Sequence, residues 1–200
     1  MIKVLVVEDQ ALVRGAIASL LSLEDEIEVV GQAENGQVAL DMLKKVDVDF
    51  ILSDIEMPVI SGLELAETVI EEHHNINMLI MTTFSKSGYI KRAMALGVKA
   101  FILKESPTEY LVEAIKKVQA GERVIAPELA LMALNDNDPL TNKERKAIKL
   151  AGEGLTTAEI ATTLFLSEGT VRNYLSEAIA KLNATNRVDA ARIAKQKGWI

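Results

Sequence analysis

Short apolar runs alternate with amphipathic stretches over the first 120 residues of the chain. The runs are rich in β-branched residues and are continuously apolar more often than alternating, which is typical of strands buried on both faces of a parallel sheet. They predict five strands, at Ile2–Val7, Ile27–Ala33, Phe50–Ser53, Met78–Thr82 and Ala100–Leu103.

The stretches between these runs predict helices, because their apolar residues recur at intervals of three or four positions. A short helix is predicted after the second strand, from Gly36 to Leu43, and Ser106-Pro-Thr-Glu109 predicts a capping box with proline at the first helical position. Five β-α units in succession predict an α/β fold, a doubly wound (βα)5 flavodoxin-like domain with strand order 2-1-3-4-5. The longer apolar stripes are Leu12, Val13, Ala16, Ile17, Leu20 and Leu21; Leu63, Leu65, Ala66, Val69 and Ile70; Ile90, Ala93 and Met94; and Leu111, Val112, Ile115 and Val118.

The character of the chain changes after Gly121. Residues 135–139, NDNDP, are turn-rich and hold no apolar side chain, so they predict a linker, preceded by a short helix over residues 127–134. From Leu140 onward the pattern is helical throughout. We therefore divide the chain into an α/β domain at 1–121, a linker at 122–138 and a second domain at 139–200.

Cap signals define the helices of the second domain. Thr141 and Thr156 are each followed three residues later by glutamate, which predicts two capping boxes, and Ser167 predicts a third helix start. A fourth helix is predicted to begin near residues 185–186 and to end before Gly198. These signals predict a small all-α domain of four helices.

Composition excludes several classes of protein. No apolar run approaches the ~20 residues that a membrane-spanning helix needs, and the N-terminal MIKVLVVEDQ reaches acids too early for a signal peptide. The chain has no cysteine, which excludes disulfides, thiolate metal sites and a cysteine nucleophile. Its two histidines, His73 and His74, are adjacent in a polar stretch, so a histidine-rich metal site is not expected. A cytoplasmic protein fits these observations.

Charge is unevenly distributed between the two predicted domains. Residues 138–200 hold ten Lys and Arg against seven Asp and Glu, which gives them a net charge of +3. Because the whole chain carries −7, residues 1–137 carry −10. An acidic front and a basic back indicate that the second domain meets a polyanion.

Acidic side chains follow the first and third predicted strands. Glu8 and Asp9 end the first strand, while Asp54 and Glu56 follow the third. Because the carboxyl ends of parallel strands meet at one edge of the sheet, these carboxylates are expected to converge. Carboxylates packed together repel one another unless a cation intervenes, and a site of oxygen ligands alone suits Mg²⁺.

The fourth and fifth strands add a hydroxyl and an ammonium group to the same edge. Thr82 and Lys104 end these strands, and both can hold phosphate oxygens. With Mg²⁺ offsetting charge, Asp54 could act as a nucleophile toward a phosphoryl group. A single acid at a strand end is most simply a solvated loop residue, but five suitable residues at five suitable positions favour an aspartyl-phosphate site.

The second domain contains a helix, a turn and a longer helix with a polar face, which is helix-turn-helix geometry. Arginine and asparagine are residue types that read guanine and adenine edges in the major groove. A solvated helix face is an equally open reading of this pattern. The polar face consists of Arg172, Asn173, Ser176, Glu177 and Lys181, and phosphate contacts are expected from Lys181 and from Lys143, Arg145 or Lys146.

Four motifs of the first domain resemble those of response-regulator receiver domains: Val7-Glu8-Asp9, Asp54-Ile-Glu-Met-Pro58 with Gly62, Thr82-Thr83, and Phe101-Ile-Leu-Lys104. The resemblance covers about residues 1–120 and implies that Asp54 is the phosphoacceptor. It implies that Glu8, Asp9, Asp54 and the backbone carbonyl of Glu56 bind Mg²⁺, and that Thr82, Thr83, Phe101 and Lys104 are phosphate-binding and switch residues. Many receivers have asparagine at position 56, so Glu56 leaves the rate of dephosphorylation open.

The second domain resembles the LuxR-type helix-turn-helix in the segments Leu140–Arg145, Gly154–Ala161, Leu166–Val171 and Leu182–Ala190. A receiver followed by this module is the layout of the NarL/FixJ response regulators. The resemblance implies DNA contacts by Thr170, Arg172, Asn173, Ser176, Lys181 and Lys143. Family members often carry lysine at position 176, so the resemblance implies that with Ser176 one phosphate contact is missing or water-mediated. Further motifs, among them Gly169–Tyr174 and Lys197-Gly-Trp199, resemble the DesR subgroup.

This resemblance implies a phosphorylation-activated transcription regulator, not an enzyme, whose catalysis is limited to slow loss of its own phosphate. Its implied partners are promoter DNA, a sensor histidine kinase that phosphorylates Asp54, a second copy of the chain, and RNA polymerase, with no membrane partner. The first and fifth helices, with Leu12 and Val13 and with Leu111 and Val112, are candidate dimer faces, although a plain core role is open for all four.

Two other functions are weighed against this one. A phosphatase with an aspartyl nucleophile needs an acid two residues after the nucleophile, where Glu56 stands, and the C-terminal helices could form its cap. Against it, Glu8 and Asp9 precede Asp54, and the second domain carries the helix-turn-helix signature. An interaction module that has lost phosphorylation is opposed by the intact acids, Thr82 and Lys104.

Overall fold

The computed structural model describes residues 1–72, 75–83, 86–135 and 137–200. His73 and His74 lie outside the described residues, as does Phe84. The chain forms two compact units, one of Met1–Ser85 with Ile90–Leu134 and one of Lys86–Tyr89 with Asn135–Ile200. No helix in the described part is long and apolar enough to cross a bilayer.

A parallel sheet is the centre of the first unit. Its strand order is β2-β1-β3-β4-β5-β6, which confirms the doubly wound class and the predicted order of the first five strands. The sixth strand was not predicted: it has two residues, which pair with Ala100 and Phe101 of β5. The strands are β1 Ile2–Val7, β2 Ile27–Ala33, β3 Phe50–Asp54, β4 Asn77–Thr82, β5 Ala100–Leu103 and β6 Val124–Ile125.

Helices cover both faces of this sheet. Helices α1 and α5 pack on the face that carries Val4, Phe50 and Ile102, where all contribute to one apolar core. Because side chains alternate along a strand, Leu5 and Phe101 point to the opposite face, and both are fully buried. The helices are α1 Ala11–Leu21, α2 Gly36–Leu43, α3 Gly62–Glu72, α4 Ser87–Leu96, α5 Thr108–Gln119 and α6 Pro127–Leu134.

The sequence was misleading about two helices of this unit. Leu12 is 87% exposed on α1, where the buried residues are Ala18 and Leu21, because a helix that is apolar on most sides does not specify which side faces the sheet. The capping box predicted at Ser106 is wrong. Pro107 occupies the cap position in an extended conformation, and no side-chain hydrogen bond caps α5.

Strand β6 and helix α6 both fall within residues 122–138, the segment predicted as the linker. Val124 N–H donates to the Lys99 carbonyl at 3.0 Å, and Ala126 N–H donates to the Phe101 carbonyl at 3.0 Å. The first part of this segment is therefore a continuation of the sheet. The helix predicted over residues 127–134 is confirmed as α6.

Residues 137–200 of the second unit form four helices in the predicted positions: α7 Asn142–Gly152, α8 Thr157–Leu164, α9 Glu168–Lys181 and α10 Arg187–Lys197. Thr141 and Thr156 form the two capping boxes, and Ser167 caps α9 by accepting the Thr170 N–H. Asn186 caps α10, which ends at Lys197, before Gly198, as predicted. Apolar side chains from the four helices and Trp199 form a separate core.

Candidate functional site

Three acids converge at the carboxyl edge of the sheet. Strands β1 and β3 are adjacent, with Val7 opposite Ser53, so Glu8 and Asp9 follow one strand beside the point where Asp54 ends the other. One carboxylate oxygen from each acid lies within 4.8 Å of the others. Glu8 is fully buried and Asp54 is 7% exposed, whereas Asp9 is exposed. The predicted convergence of Glu8, Asp9 and Asp54 is therefore present in the structure.

Lys104 joins two of these acids. Its Nζ lies 2.8 Å from Glu8 Oε2 and 2.9 Å from Asp54 Oδ2. The Lys104 N–H donates to the Thr82 carbonyl at 2.9 Å, which fixes the end of β5 against the end of β4. Asp54 also accepts the N–H of Ile55 through Oδ1 at 2.7 Å. The phosphoacceptor candidate is thus held by an ammonium group on one oxygen and by the backbone on the other.

Burial opposes the charge on both bridged acids. It raises the pKa of Glu8, and the hydrogen bond from Lys104 only partly offsets this effect, while the nearby Asp54 raises the pKa further. Burial also raises the pKa of Asp54, against lowering contributions from Lys104 and the Ile55 N–H. The pKa of Lys104 is raised: burial lowers it, but the two carboxylates outweigh that effect. The site therefore holds more negative charge than Lys104 alone offsets.

The donor set fits a hard divalent cation. All three acids supply oxygen, and Glu8 Oε2 is buried without a well-aligned hydrogen bond from any described residue, although Lys104 approaches it closely. Mg²⁺ prefers a few carboxylates together with water and phosphate oxygens. Burial, with a smaller contribution from the neighbouring carboxylates, raises the pKa values of Glu8 and Asp54, and a cation here would stabilise the charged forms of both acids.

The remaining predicted residues of this site occupy different environments. The Thr82 hydroxyl donates to the Thr83 carbonyl at 2.8 Å, so in this structure it is not directed to Asp54. Thr83 is exposed at the end of β4, and Phe101 is fully buried in β5. The Glu56 side chain is exposed and does not belong to the cluster of three acids.

The turn after β3 is shaped by close backbone contacts. Gly62 N–H donates to the Ile55 carbonyl at 2.9 Å, and a Cβ on Gly62 would lie 2.0 Å from the Asp54 carbonyl oxygen. On the other side, Gly36 N–H at the start of α2 donates to the Ile60 carbonyl at 3.0 Å, and a Cβ there would lie 2.8 Å from the same oxygen. Side chains at these two positions would displace the loop that follows Asp54.

Arg14 is a residue of the site that sequence reasoning missed. Its guanidinium donates to the Glu8 carbonyl at 2.6 Å and lies 3.5 Å from the Asp9 carbonyl. It therefore holds the backbone of the acidic pair from the first turns of α1. The available signal was its position, because Arg14 is the one charged residue in an otherwise apolar or small-residue helix.

In the second unit, α9 presents a polar face. Val171, Leu175 and Ala178 are buried, whereas Arg172, Asn173 and Ser176 are exposed and Thr170 is half-buried. Arg172 pairs with Glu168 one turn earlier, at 2.8 Å. The exposed set matches the face expected of a recognition helix. Lys143, on α7, is also exposed.

Two of the basic candidates for phosphate contact are engaged within the unit. Lys181 Nζ lies 2.8 Å from both side-chain oxygens of Glu144, which is 4% exposed. Arg145 pairs with Asp138 and also donates to Asn142. Burial raises the pKa of Glu144, but hydrogen bonds from Lys181 and Thr141 outweigh it, so the pKa lies below its usual value.

The chain is similar to known proteins over both units. Residues 4–116 match the response regulator receiver domain, and residues 138–194 match the bacterial regulatory proteins of the luxR family. Among proteins of Bacillus subtilis, it is 46% identical to the uncharacterized transcriptional regulatory protein YvfU and 44% identical to the transcriptional regulatory protein DesR. Each match covers 100% of both chains.

Solved structures give the same result. The response regulator ChrA of a heme-sensing two-component system is 28% identical with a TM-score of 0.57, over 100% of this chain and 98% of that chain. RcsB from Salmonella enterica serovar Typhimurium, bound to a promoter, has a TM-score of 0.70 over 97% and 98% of the two chains. At 19% identity this second likeness concerns the fold alone.

Proposed function

Because the chain belongs to the response regulators that join a receiver domain to a LuxR-type DNA-binding domain, and is a transcriptional regulator, we propose that Asp54 is its phosphoacceptor. The observation that carries the proposal is the bridge from Lys104 to Glu8 and Asp54. It places a carboxylate, a cation and further oxygen ligands in one buried cluster. The receiver is proposed at 1–121 and the DNA-binding domain at 139–200. Of the segment 122–138 predicted as the linker, strand β6 belongs to the receiver sheet.

The phosphoryl group would come from a phosphohistidine of a sensor kinase. An oxygen of Asp54 forms the new bond to phosphorus, and the bond from phosphorus to the histidine nitrogen breaks. Glu8, Asp9, Asp54 and the backbone carbonyl of Glu56 would hold Mg²⁺, which supplies charge neutralisation at the transferred group. Lys104 is already within ion-pair distance of Asp54, so it can transfer its contact to a phosphate oxygen.

The proposed switch begins with Thr82. Its hydroxyl donates to the Thr83 carbonyl in the present structure and has to rotate away to donate to a phosphate oxygen. Phe101, buried in the neighbouring strand β5, would repack as the end of β4 moves. Thr83, exposed beside the site, would control access to the phosphate. Phosphorylation thereby acts through a local change of hydrogen bonds and packing.

The lifetime of the phosphate would be set partly by Glu56. Its exposed carboxylate lies two residues after Asp54 and adds negative charge near the acyl phosphate. Removal of that charge in Glu56→Gln is expected to lengthen the lifetime of the phosphorylated chain. Beyond this slow hydrolysis we propose no enzymatic activity.

DNA recognition would rest on α9. Arg172 and Asn173 are exposed on its polar face and are the candidates for base contacts. Thr170, Ser176 and Lys143 are proposed to contact phosphates. Lys181 remains a proposed phosphate contact, but it would have to bind beside its ion pair with Glu144. As a DNA-bound regulator the chain would act in the cytoplasm, with RNA polymerase as a further partner and no membrane partner.

Phosphorylation would favour a homodimer, since two recognition helices on successive half-sites combine their affinities. On α1, Leu12 is 87% exposed and Leu20 is 40% exposed, so this helix offers an apolar surface to a second copy. Leu111 and Val112 of α5 are buried in the core and are therefore removed from the candidate dimer contacts. The dimer face is proposed to include Leu12, with Val13 half-buried beside it.

The proposal is tested by mobility shift on genomic fragments, with and without acetyl phosphate and Mg²⁺, using wild type and Asp54→Ala. The expected result is tighter binding and a larger oligomer only for phosphodonor-treated wild type. Equal DNA affinity and equal oligomeric state in all four samples would exclude the switch. Steady turnover of a small phosphate ester that survives removal of residues 138–200 would instead support a phosphatase.

A further inference from the structure

Phe165 is the exception in a recurring feature of the second unit. After each of its four helices α7–α10 the chain passes through one residue with positive φ: Gly154 at 93°, Phe165 at 55°, Asn183 at 49° and Gly198 at 73°. Glycine and asparagine are the residue types that enter this left-handed region most readily. A bulky side chain such as that of Phe165 is strained there. The backbone of the turn between α8 and α9 therefore does not explain a phenylalanine.

Packing within the unit does not explain it either. The Phe165 side chain is 94% exposed, more than any other large hydrophobic residue of this unit. The apolar contact that usually accompanies such a helix end is made by the next residue: Leu166 is half-buried and packs against the core. Its N–H also closes the end of α8 by donating to the Ala161 carbonyl at 2.9 Å. Thus Phe165 contributes strain and exposed apolar area to a turn that closes without its ring.

The position of Phe165 indicates what its ring meets. It precedes Ser167, the cap of α9, by two residues, so it stands beside the end of the helix proposed to enter the major groove. A helix-turn-helix protein directs the N-terminal residues of its recognition helix to the base edges. Thr163 and Ser167, two positions to either side of Phe165, are exposed and uncharged. The next acidic residue toward the C-terminus is Glu168. Glu168 itself is paired with Arg172.

We propose that Phe165 contacts the C5-methyl group of a thymine at the edge of the major groove, and so adds a preference for A·T pairs to the contacts of α9. Thymine is the one base that presents an apolar group on this edge, and phenylalanine is among the residues that pack on it. A phosphate would instead select a cation or a hydrogen-bond donor. Residues held in a strained backbone conformation cluster at functional sites. This inference rests on the proposal that α9 is the recognition helix.

The test uses the full chain with acetyl phosphate and Mg²⁺, and a duplex that wild type has selected from a random library. A series of further duplexes each carries uracil in place of one thymine. Each replacement removes only the C5-methyl group of that base. Wild type should lose about 3-fold to 10-fold in affinity at one thymine of each half-site, the range expected for one or two buried carbon groups. Phe165→Gly should lose a similar factor on the thymine duplex and should bind the thymine and uracil duplexes equally.

Two further variants separate this inference from its premise. Asn183→Gly relaxes the left-handed residue at the other end of α9 and should leave DNA affinity unchanged. Asn173→Ala should weaken binding to the selected duplex; if it does not, the assignment of α9 fails. The difference between wild type and Phe165→Gly in their response to uracil reports on Phe165. The thymine contact would be overturned if no uracil replacement changed the affinity of the wild-type protein, or if Phe165→Gly bound the thymine duplex as tightly as wild type. The Phe165 ring would then be assigned to a protein partner.

Thermal unfolding provides the control for folding. Phe165→Gly relieves the strained φ and removes an exposed ring, so its melting temperature should equal or exceed that of wild type. Because glycine also increases the entropy of the unfolded chain, Asn183→Gly is the reference for this effect. A melting temperature below that of Asn183→Gly would show that the Phe165 ring stabilises the domain, and that result would also overturn the inference.

Discussion

Lys181 Nζ lies 2.8 Å from both side-chain oxygens of Glu144, a residue 37 positions earlier in the chain. Glu144 Oε2 also accepts the Thr141 N–H at 2.8 Å and completes the capping box of α7. One buried carboxylate therefore closes the start of α7 and fixes the end of α9. The orientation of the proposed recognition helix depends on this ion pair as well as on the apolar core.

Replacement of Lys181 by methionine should destabilise the second domain. The change leaves the buried Glu144 without its ammonium partner while retaining the apolar stem, and a buried acceptor that loses its donor costs about 1–3 kcal/mol. Urea unfolding followed by the fluorescence of Trp199, the single tryptophan of the chain and part of this core, measures the effect. Unchanged unfolding together with reduced DNA affinity would mean that Lys181 acts on phosphates instead.

Acid should unfold the second domain through Glu144. Its pKa is held below the usual value of 4.5, so folding favours the carboxylate. The corresponding stability is fully present above the pKa of the unfolded chain and is lost as the pH falls through the lower pKa of the folded chain. Thermal unfolding is followed by Trp199 fluorescence at a series of pH values from about pH 6 to about pH 3. The melting temperature should fall more steeply with decreasing pH in wild type than in Glu144→Gln. Parallel curves for the two proteins would assign acid unfolding to other groups.

Gly62→Ala should disrupt the phosphorylation site. The added Cβ would lie 2.0 Å from the Asp54 carbonyl oxygen, so the backbone of the turn has to move. Overpacking of this kind destabilises by about 1–3 kcal/mol, and acetyl phosphate should label the variant far more slowly. Gly15→Ala is the matched control, because nothing lies within 4 Å of its added Cβ on α1. That variant should label normally and gain up to about 1 kcal/mol from helix propensity.

Val59→Gly should stabilise the receiver. Val59 has a φ of 68° and is 77% exposed, and the Ile60 N–H donates to the Pro58 carbonyl across it at 2.9 Å, which describes a tight three-residue turn. A β-branched residue is strained at this φ, so glycine should gain about 0.5–1 kcal/mol after its larger unfolded-state entropy is included. Circular dichroism melts of the receiver provide the measurement. A destabilised variant would indicate that the Val59 side chain contributes packing despite its exposure.

The strands and the acid cluster could be predicted because their signals are local. Continuous apolar runs predict β1 to β5. The rule that the carboxyl ends of parallel strands share one sheet edge predicts that Glu8 and Asp54 lie together. Strand β6 could not be predicted, because a strand of two residues is too short to show a periodic pattern of apolar residues. The usual preference of proline for the first helical position predicts Ser106 as the cap, whereas Pro107 itself occupies the cap position of α5.

Other features arise only from tertiary structure. Glu144, the partner of Lys181, is distant in sequence. The helical pattern places Lys181 on the polar face of α9, which predicts a contact with DNA and not the ion pair with Glu144. Helix α1 has several apolar sides, and packing determines which of them contacts the sheet. Leu12 lies on a side that does not contact it. The left-handed φ of Phe165 has no sequence signature, because most chains place glycine or asparagine at such a position.

The loop after Asp54 is pinned between Gly36 on α2 and Gly62 on α3, and this arrangement has a consequence for inheritance. Sequence drift in this loop is expected to collect at the exposed Pro58 and Val59, while the two glycines stay fixed together. A side chain at either glycine is therefore expected to be tolerated only together with a compensating change in the loop backbone.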